Sequence, residues 1–305
     1  MKHLLALACL CWACSHLSPQ EAKRESLLST ELELWTDGEM LFAWGLAEGR
    51  KARVLFSSTA LGNTLTENCL QHSAQHMGSV LTADGKEHEV VRLTRWSLAG
   101  KTWGDIEVAL LKPKKALAPL PSKTWRLHDG LVLEEDEPPC ILVLSVQQMP
   151  EVHMEFERGR LRFGPVDFVA QGKRIPFAEH PHWGIPFIQT MVLLHEKKIP
   201  LRLVLETSQW PSHVRKTAAP RQDMPQKQLA WEKLWLSPET ALPPGNFEIK
   251  NSTPHWPWAE GSLGMKAFEC CKLLWSPRQG TATLQWLPEK PLEATPNDTT
   301  SDRNL

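Results

Sequence analysis

Apolar residues along this chain recur mostly at every second position, in short runs closed by polar or turn-forming residues. That is the period of half-buried β-strands. "PFIQTMVLLHEKKIPLRLVLE" (186–206) predicts a hairpin whose strands flank the polar turn "HEKK". "GSVLTADGKEHEVVRLTRWSLAGKTWGDIEVALL" (78–111) predicts a long hairpin around "ADGK", then two more strands. "LAWEKLWL" (229–236) and "GNFEIKN" (245–251) each read as a strand. "CILVLSVQQMPEVHMEFERGRLRFG" (140–164) and "GSLGMKAFECCKLLWSPRQGTATLQW" (261–286) share one order of parts. Each has a short apolar strand, a brief helical stretch and a closing hairpin. The expected fold is all-β with few helices.

The chain also repeats itself. "ARVLFSSTALGNTL" (52–65) and "LRLVLETSQWPSHV" (201–214) both run an apolar strand past an arginine into a turn of small or polar residues. Both then continue to a branched apolar residue. With the matched closing segments, this predicts two similar lobes, 36–168 and 178–290, joined by "VAQGKRIPFAEHPHW". The tail 291–305 is polar and is expected to be disordered.

Composition narrows the classes. The 305 residues are 42% apolar and 23% charged, as in a folded globular protein. The net charge is -1 with no basic block, which argues against a nucleic-acid partner. "MKHLLALACLCWAC" has a basic start and an apolar run too short to span a bilayer. It resembles a bacterial lipoprotein signal, 1–14, with Cys14 the lipidated residue and 15–35 a polar linker. Cys11 and Trp12 depart from that pattern. Cys9 is the alternative lipid site, and an ordinary cleaved signal the alternative leader. On each reading the body is exported, and a lipid anchor would make the membrane a partner. Cys69, Cys140, Cys270 and Cys271 remain in the body, where disulfides are allowed. Spacing leaves their pairing open, except that the adjacent Cys270 and Cys271 are poor partners for each other. No CxxC or HExxH occurs, and His180 and His182 in "HPHW" read as surface residues. No metal or cofactor is expected.

The order of these parts resembles the retropepsin-like and pepsin-like aspartic proteases. "LFSSTALGNTLTENCLQH", "VLTADGKEHEV" and "FERGRLRF" match, in order, the family's active-site turn, flap hairpin and closing hairpin. "LVLETSQ" and "GSLGMKAF" repeat the match in the second half. The resemblance implies two pseudo-symmetric β-barrel lobes of retropepsin type in one chain. It puts Asp84 and Gly85 at the flap tip. The catalytic aspartates fall on Ser57 and Glu206, followed by Ser58, Thr59 and Ala60 in the first turn and Thr207, Ser208 and Gln209 in the second. The family glycine before the helix falls on Gly264 in the second lobe and on Val143 in the first.

No catalytic site is intact on this alignment. An aspartic protease needs two carboxylates sharing one proton, one activating water and the other protonating the carbonyl oxygen. Serine cannot be a carboxylate base, and losing one acid/base partner costs roughly 10²–10⁴ in rate. Ser57 as a nucleophile would need a base, and no His or Lys follows at a recognisable spacing. Ser57, Ser58 and Thr59 then read as a turn whose hydroxyls bond the backbone. Thr59 and Ser208 replace the turn glycines, so the turns are expected to face each other but to stand further apart, or shifted sideways. The function expected is an inactive protease-like lipoprotein binding an extended peptide between its lobes. Trp96, Trp103, Trp231 and Trp235 are candidates to line that cleft. The alternatives are a weakly active aspartic endopeptidase of the cell envelope and a structural envelope component.

Overall fold

In a computed structural model, residues 31–70, 74–81, 86–103, 105–112, 123–126, 132–134, 140–148, 152–157, 159–165, 172–182, 184–194, 196–218, 228–251, 256–276 and 280–287 are described. About 66% of them are strand, with three short 3-10 turns at Glu67–Cys69, Val146–Gln148 and Met265–Phe268.

The first lobe grows outward from Arg50–Ser57. This strand pairs antiparallel with Leu41–Ala47 and parallel with Cys140–Ser145. A central strand covered on both faces needs a nearly continuous apolar run, and "ARVLFS" is buried throughout. Cys140–Ser145 continues antiparallel to Thr64–Thr66, which lies parallel to Ile106–Leu111. The sheet then passes through Glu87–Leu93 to Gln75–Leu81 at its edge. A small hairpin, Trp96–Leu98 with Lys101–Trp103, hangs on Leu41–Ala47.

The second lobe repeats this order, without a counterpart of Gln75–Leu81 among the described residues. Lys197–Leu205 pairs antiparallel with Pro186–Leu194 and parallel with Gly261–Leu263. Gly261–Leu263 continues antiparallel to Ser212–Arg215, parallel onward to Gly245–Lys250, then antiparallel to Gln228–Trp231. The hairpin Lys233–Ser237 with Thr240–Leu242 hangs on Pro186–Leu194. "LAWEKLWL" is therefore two strands broken at Glu232, not one. Its first half closes the barrel sheet and its second half begins the side hairpin.

A six-stranded sheet joins the lobes. At its centre Val152–Glu157 of the first lobe pairs with Cys271–Ser276 of the second. Arg160–Pro165 and Thr281–Trp286 flank them, and Glu31–Glu33 and Lys173–Pro176 form the two edges. Both edge strands come from segments expected to be linkers. "ELEL" begins the ordered body inside the 15–35 stretch because its leucines alternate into the core, with Leu32 and Leu34 each 3% exposed.

Cys69 and Cys140 form a disulfide that ties the first 3-10 turn to the start of a central strand. Cys270 and Cys271 are free. The signal segment 1–14 with Cys14, the flap tip Asp84 and Gly85, and the tail 291–305 lie outside the described residues.

Candidate functional site

Two turns leave the central strands of the two lobes and meet. Ser57 ends Arg50–Ser57, and Glu206 follows Lys197–Leu205, 149 residues further on. The backbones are joined by a reciprocal hydroxyl exchange. The Ser58 N–H donates to Thr207 Oγ1 at 3.1 Å, and the Thr207 N–H donates to Ser58 Oγ at 3.1 Å. The Ser58 hydroxyl donates to the Leu205 carbonyl at 2.6 Å, and the Thr207 hydroxyl to the Phe56 carbonyl at 2.5 Å. A hydroxyl both donates and accepts, so each side chain satisfies two backbone groups. Ser58 and Thr207 are 1% and 2% exposed, so these bonds work without competition from water.

Within this frame the side chains converge on Glu206. Ser57 Oγ donates to Glu206 Oε1 at 3.1 Å. Ser208 donates to Oε1 through both its hydroxyl, at 2.7 Å, and its N–H, at 3.0 Å. The Thr59 hydroxyl donates to Oε2. Three of these four hydrogen bonds fall on Oε1 and one on Oε2, so the carboxylate is held from both turns. Ser57 Oγ is engaged as well, accepting the N–H groups of Thr59 at 3.3 Å and Ala60 at 3.1 Å. Ser57 and Glu206 are 4% and 7% exposed.

Thr59 and Ser208, at the positions of the turn glycines, fold their hydroxyls inward as donors to Glu206. Two expectations change here. Ser57 does have a potential base in reach, the Glu206 carboxylate itself. Its own lone pairs point back into the turn, however, which leaves none directed outward for nucleophilic attack. The first-lobe counterpart of Gly264 is Ser145, not Val143. Val143 pairs with Leu55 in mid-strand, whereas Ser145 pairs with Ser57 and Gly264 follows Leu263, which pairs with Leu205. The two positions are held alike. The Ser145 N–H donates to Asn63 Oδ1 at 3.0 Å and the Gly264 N–H to Ser212 Oγ at 3.1 Å. Only glycine fits at 264, where a Cβ would lie 2.2 Å from the Pro211 carbonyl oxygen.

The tryptophans divide. Trp96 and Trp231 are 6% and 4% exposed and belong to the core, with Trp231 donating to the Pro243 carbonyl at 2.9 Å. Trp235 lines a shallow surface recess with Trp286, Lys173 and Lys233. Only the backbone pairing of Trp103 with Trp96 is described. A cavity of about 200 Å³ opens at the seam between lobes beside Ser58, Gln147, Glu179, Gly184 and Trp275. It is smaller than an ordinary small-molecule site and is not lined by Ser57 or Glu206.

Sequence reasoning missed a buried ion pair supporting the first turn. Arg53 Nη1 donates to Asp37 Oδ2 at 2.6 Å, with both side chains at most 2% exposed. Asp37 Oδ1 also accepts the N–H groups of Glu39 and Met40. That fixes the segment whose backbone meets the second turn through the Leu41 N–H to Ser208 carbonyl bond at 2.8 Å. The signal was a charged residue inside an otherwise apolar central strand. His180 lies against Trp258, ring centres 4.6 Å apart, and 5.8 Å from the ring of His182.

No protein-family sequence pattern matches this chain, and no curated protein sequence does. The solved crystal structure of the aspartic proteinase from Irpex lacteus does match in shape. The TM-score is 0.54 at 8% identity, over 85% of this chain and 97% of that one. The architecture is thus the aspartic-protease-like, two-lobed all-β fold expected from the sequence. At this identity the likeness defines the fold, and the turns carrying Ser57 and Glu206 occupy the seam between its two lobes.

Proposed function

We propose that this protein is an exported, lipid-anchored pseudoenzyme of the aspartic-protease type that binds an extended peptide or protein segment instead of cleaving it. The observation that carries the reading is a single carboxylate, Glu206, hydrogen-bonded by both turns and facing a serine where a second carboxylate is required. No second carboxylate stands at Ser57 to share or return the proton.

Peptide binding needs no catalytic dyad. Gln75–Leu81 is the last strand of its sheet and bears the exposed apolar residues Met77 and Val80. An edge strand can take an added peptide strand through main-chain hydrogen bonds, with side chains giving selectivity. The Cys69–Cys140 disulfide suits an oxidising, exported setting.

The test uses purified protein against casein and a peptide library from acid to neutral pH. No pepstatin-sensitive cleavage is expected, while a subset of extended peptides is retained on the immobilised protein. Cleavage abolished by Glu206→Ala would overturn the inactive reading. Failure to retain any peptide would overturn the binding one. Labelled palmitate should enter the wild-type chain and not Cys14→Ser. Equal labelling of both would move the anchor to another cysteine.

A further inference from the structure

Behind the second turn, three potential metal ligands converge from both lobes. Glu39 comes from the first lobe, just before Leu41–Ala47. His213 lies on Ser212–Arg215 and Glu248 on Gly245–Lys250, neighbouring strands in register with each other. Their ligand atoms lie within 4.8 Å of one another. His213 Nε2 is 3.4 Å from Glu248 Oε2 and 3.8 Å from Glu39 Oε2. His213 is 5% exposed, and its Nε2 has no hydrogen-bond partner. A buried imidazole nitrogen aimed at two carboxylates and bonded to neither is costly unless something binds between them.

We propose that Glu39, His213 and Glu248 form a zinc(II) site that clamps the two lobes together beside the Glu206 turn. A tetrahedral zinc ion with N and O ligands at about 2.0–2.1 Å holds them about 3.3–3.5 Å apart. The His213–Glu248 separation already matches, and the Glu39 carboxylate needs only a small inward movement. The donor set of one imidazole and two carboxylates suits zinc better than calcium or magnesium, which favour oxygen alone.

Two carboxylates, Glu39 and Glu248, are brought to the same point as the imidazole, and a cation between them would bridge like charges. Lys250 Nζ now bridges the carboxylates, 2.8 Å from Glu39 Oε2 and 3.9 Å from Glu248 Oε2. Its side chain is 34% exposed, so it can swing into solvent when an ion enters. Glu39 is tied to the second turn by the Trp210 N–H to Glu39 carbonyl bond at 2.9 Å. The clamp would therefore act on the turn itself.

Zinc chloride is titrated calorimetrically into the full chain at neutral pH, with Cys9, Cys11, Cys14 and Cys270 replaced by serine so that no thiol of the leader or the surface competes. One ion per chain is expected, with a rise in unfolding temperature. Glu39→Gln and Glu248→Gln sit on half-exposed side chains and should keep the zinc-free unfolding temperature while weakening zinc at least about tenfold. X-ray absorption of the same zinc-loaded cysteine-replaced chain should show one imidazole with oxygen ligands and no sulfur. The proposal is overturned by absence of binding at millimolar zinc, by either variant binding as tightly as wild type, by sulfur ligation, or by tighter binding of calcium.

Discussion

Replacing Thr207 by valine tests whether the lobes are held by hydroxyls or merely packed. Valine keeps the shape but removes one O–H. That hydroxyl accepts from the Ser58 N–H at 3.1 Å and donates to the Phe56 carbonyl at 2.5 Å. Both orphaned groups lie in the buried seam, where Phe56 is 3% and Ser58 1% exposed. A buried backbone group left unpaired costs about 1–3 kcal/mol, so the variant should lose about 2–5 kcal/mol. That is a large part of the 5–15 kcal/mol typical of a whole folded protein. Thr207→Ser keeps the hydroxyl and loses one methyl group, for about 1 kcal/mol. Ser58→Ala is the mirror experiment, stranding the Thr207 N–H and the Leu205 carbonyl, and should cost about as much as Thr207→Val. Urea unfolding followed by tryptophan fluorescence measures all three. A Thr207→Val cost below about 0.5 kcal/mol, or no greater than that of Thr207→Ser, would mean that water replaces the hydroxyl and that the seam is not dry.

Asp37→Ala leaves Arg53 charged and buried without its 2.6 Å partner and should cost about 3–5 kcal/mol, read from the urea midpoint; a cost below about 1 kcal/mol would show that Arg53 reaches solvent. Non-reducing peptide mapping should find Cys69 joined to Cys140, and replacing both by alanine should cost about 4 kcal/mol for the opened separation of 71 residues, on the chain-entropy account. The metal-free protein should lose stability as pH falls from about 6.5 toward 4. Burial and Lys250 hold the His213 pKa at about 4, against the weaker pull of Glu39, so the unfolded chain takes up a proton the folded one refuses. His213→Gln should flatten the urea midpoint across that pH range, and an unchanged slope would remove His213 as the cause.

Sequence alone determined the local grammar of this protein. Period-2 alternation marks the strands, as in "PFIQTMVLL", whose buried and exposed positions alternate as the pattern predicts. The repeat marks the two lobes because each copy must bury the same faces. It also aligns Ser57 with Glu206, since equivalent residues of two like lobes meet near the axis that relates them. What it could not give is any pairing that depends on how rigid pieces are placed. The inward folding of Thr59 and Ser208, the Asp37–Arg53 pair and the Cys69–Cys140 bridge join positions whose spacing along the chain carries no period. The edge strands Glu31–Glu33 and Lys173–Pro176 read as linkers because each is short, and only the pre-formed sheet between the lobes offers them a partner. Glu39, His213 and Glu248 are unremarkable in sequence for the same reason. Helical or strand periodicity reports which face a residue occupies, whereas the meeting of one residue from the first lobe with two from the second is decided by the docking of the lobes.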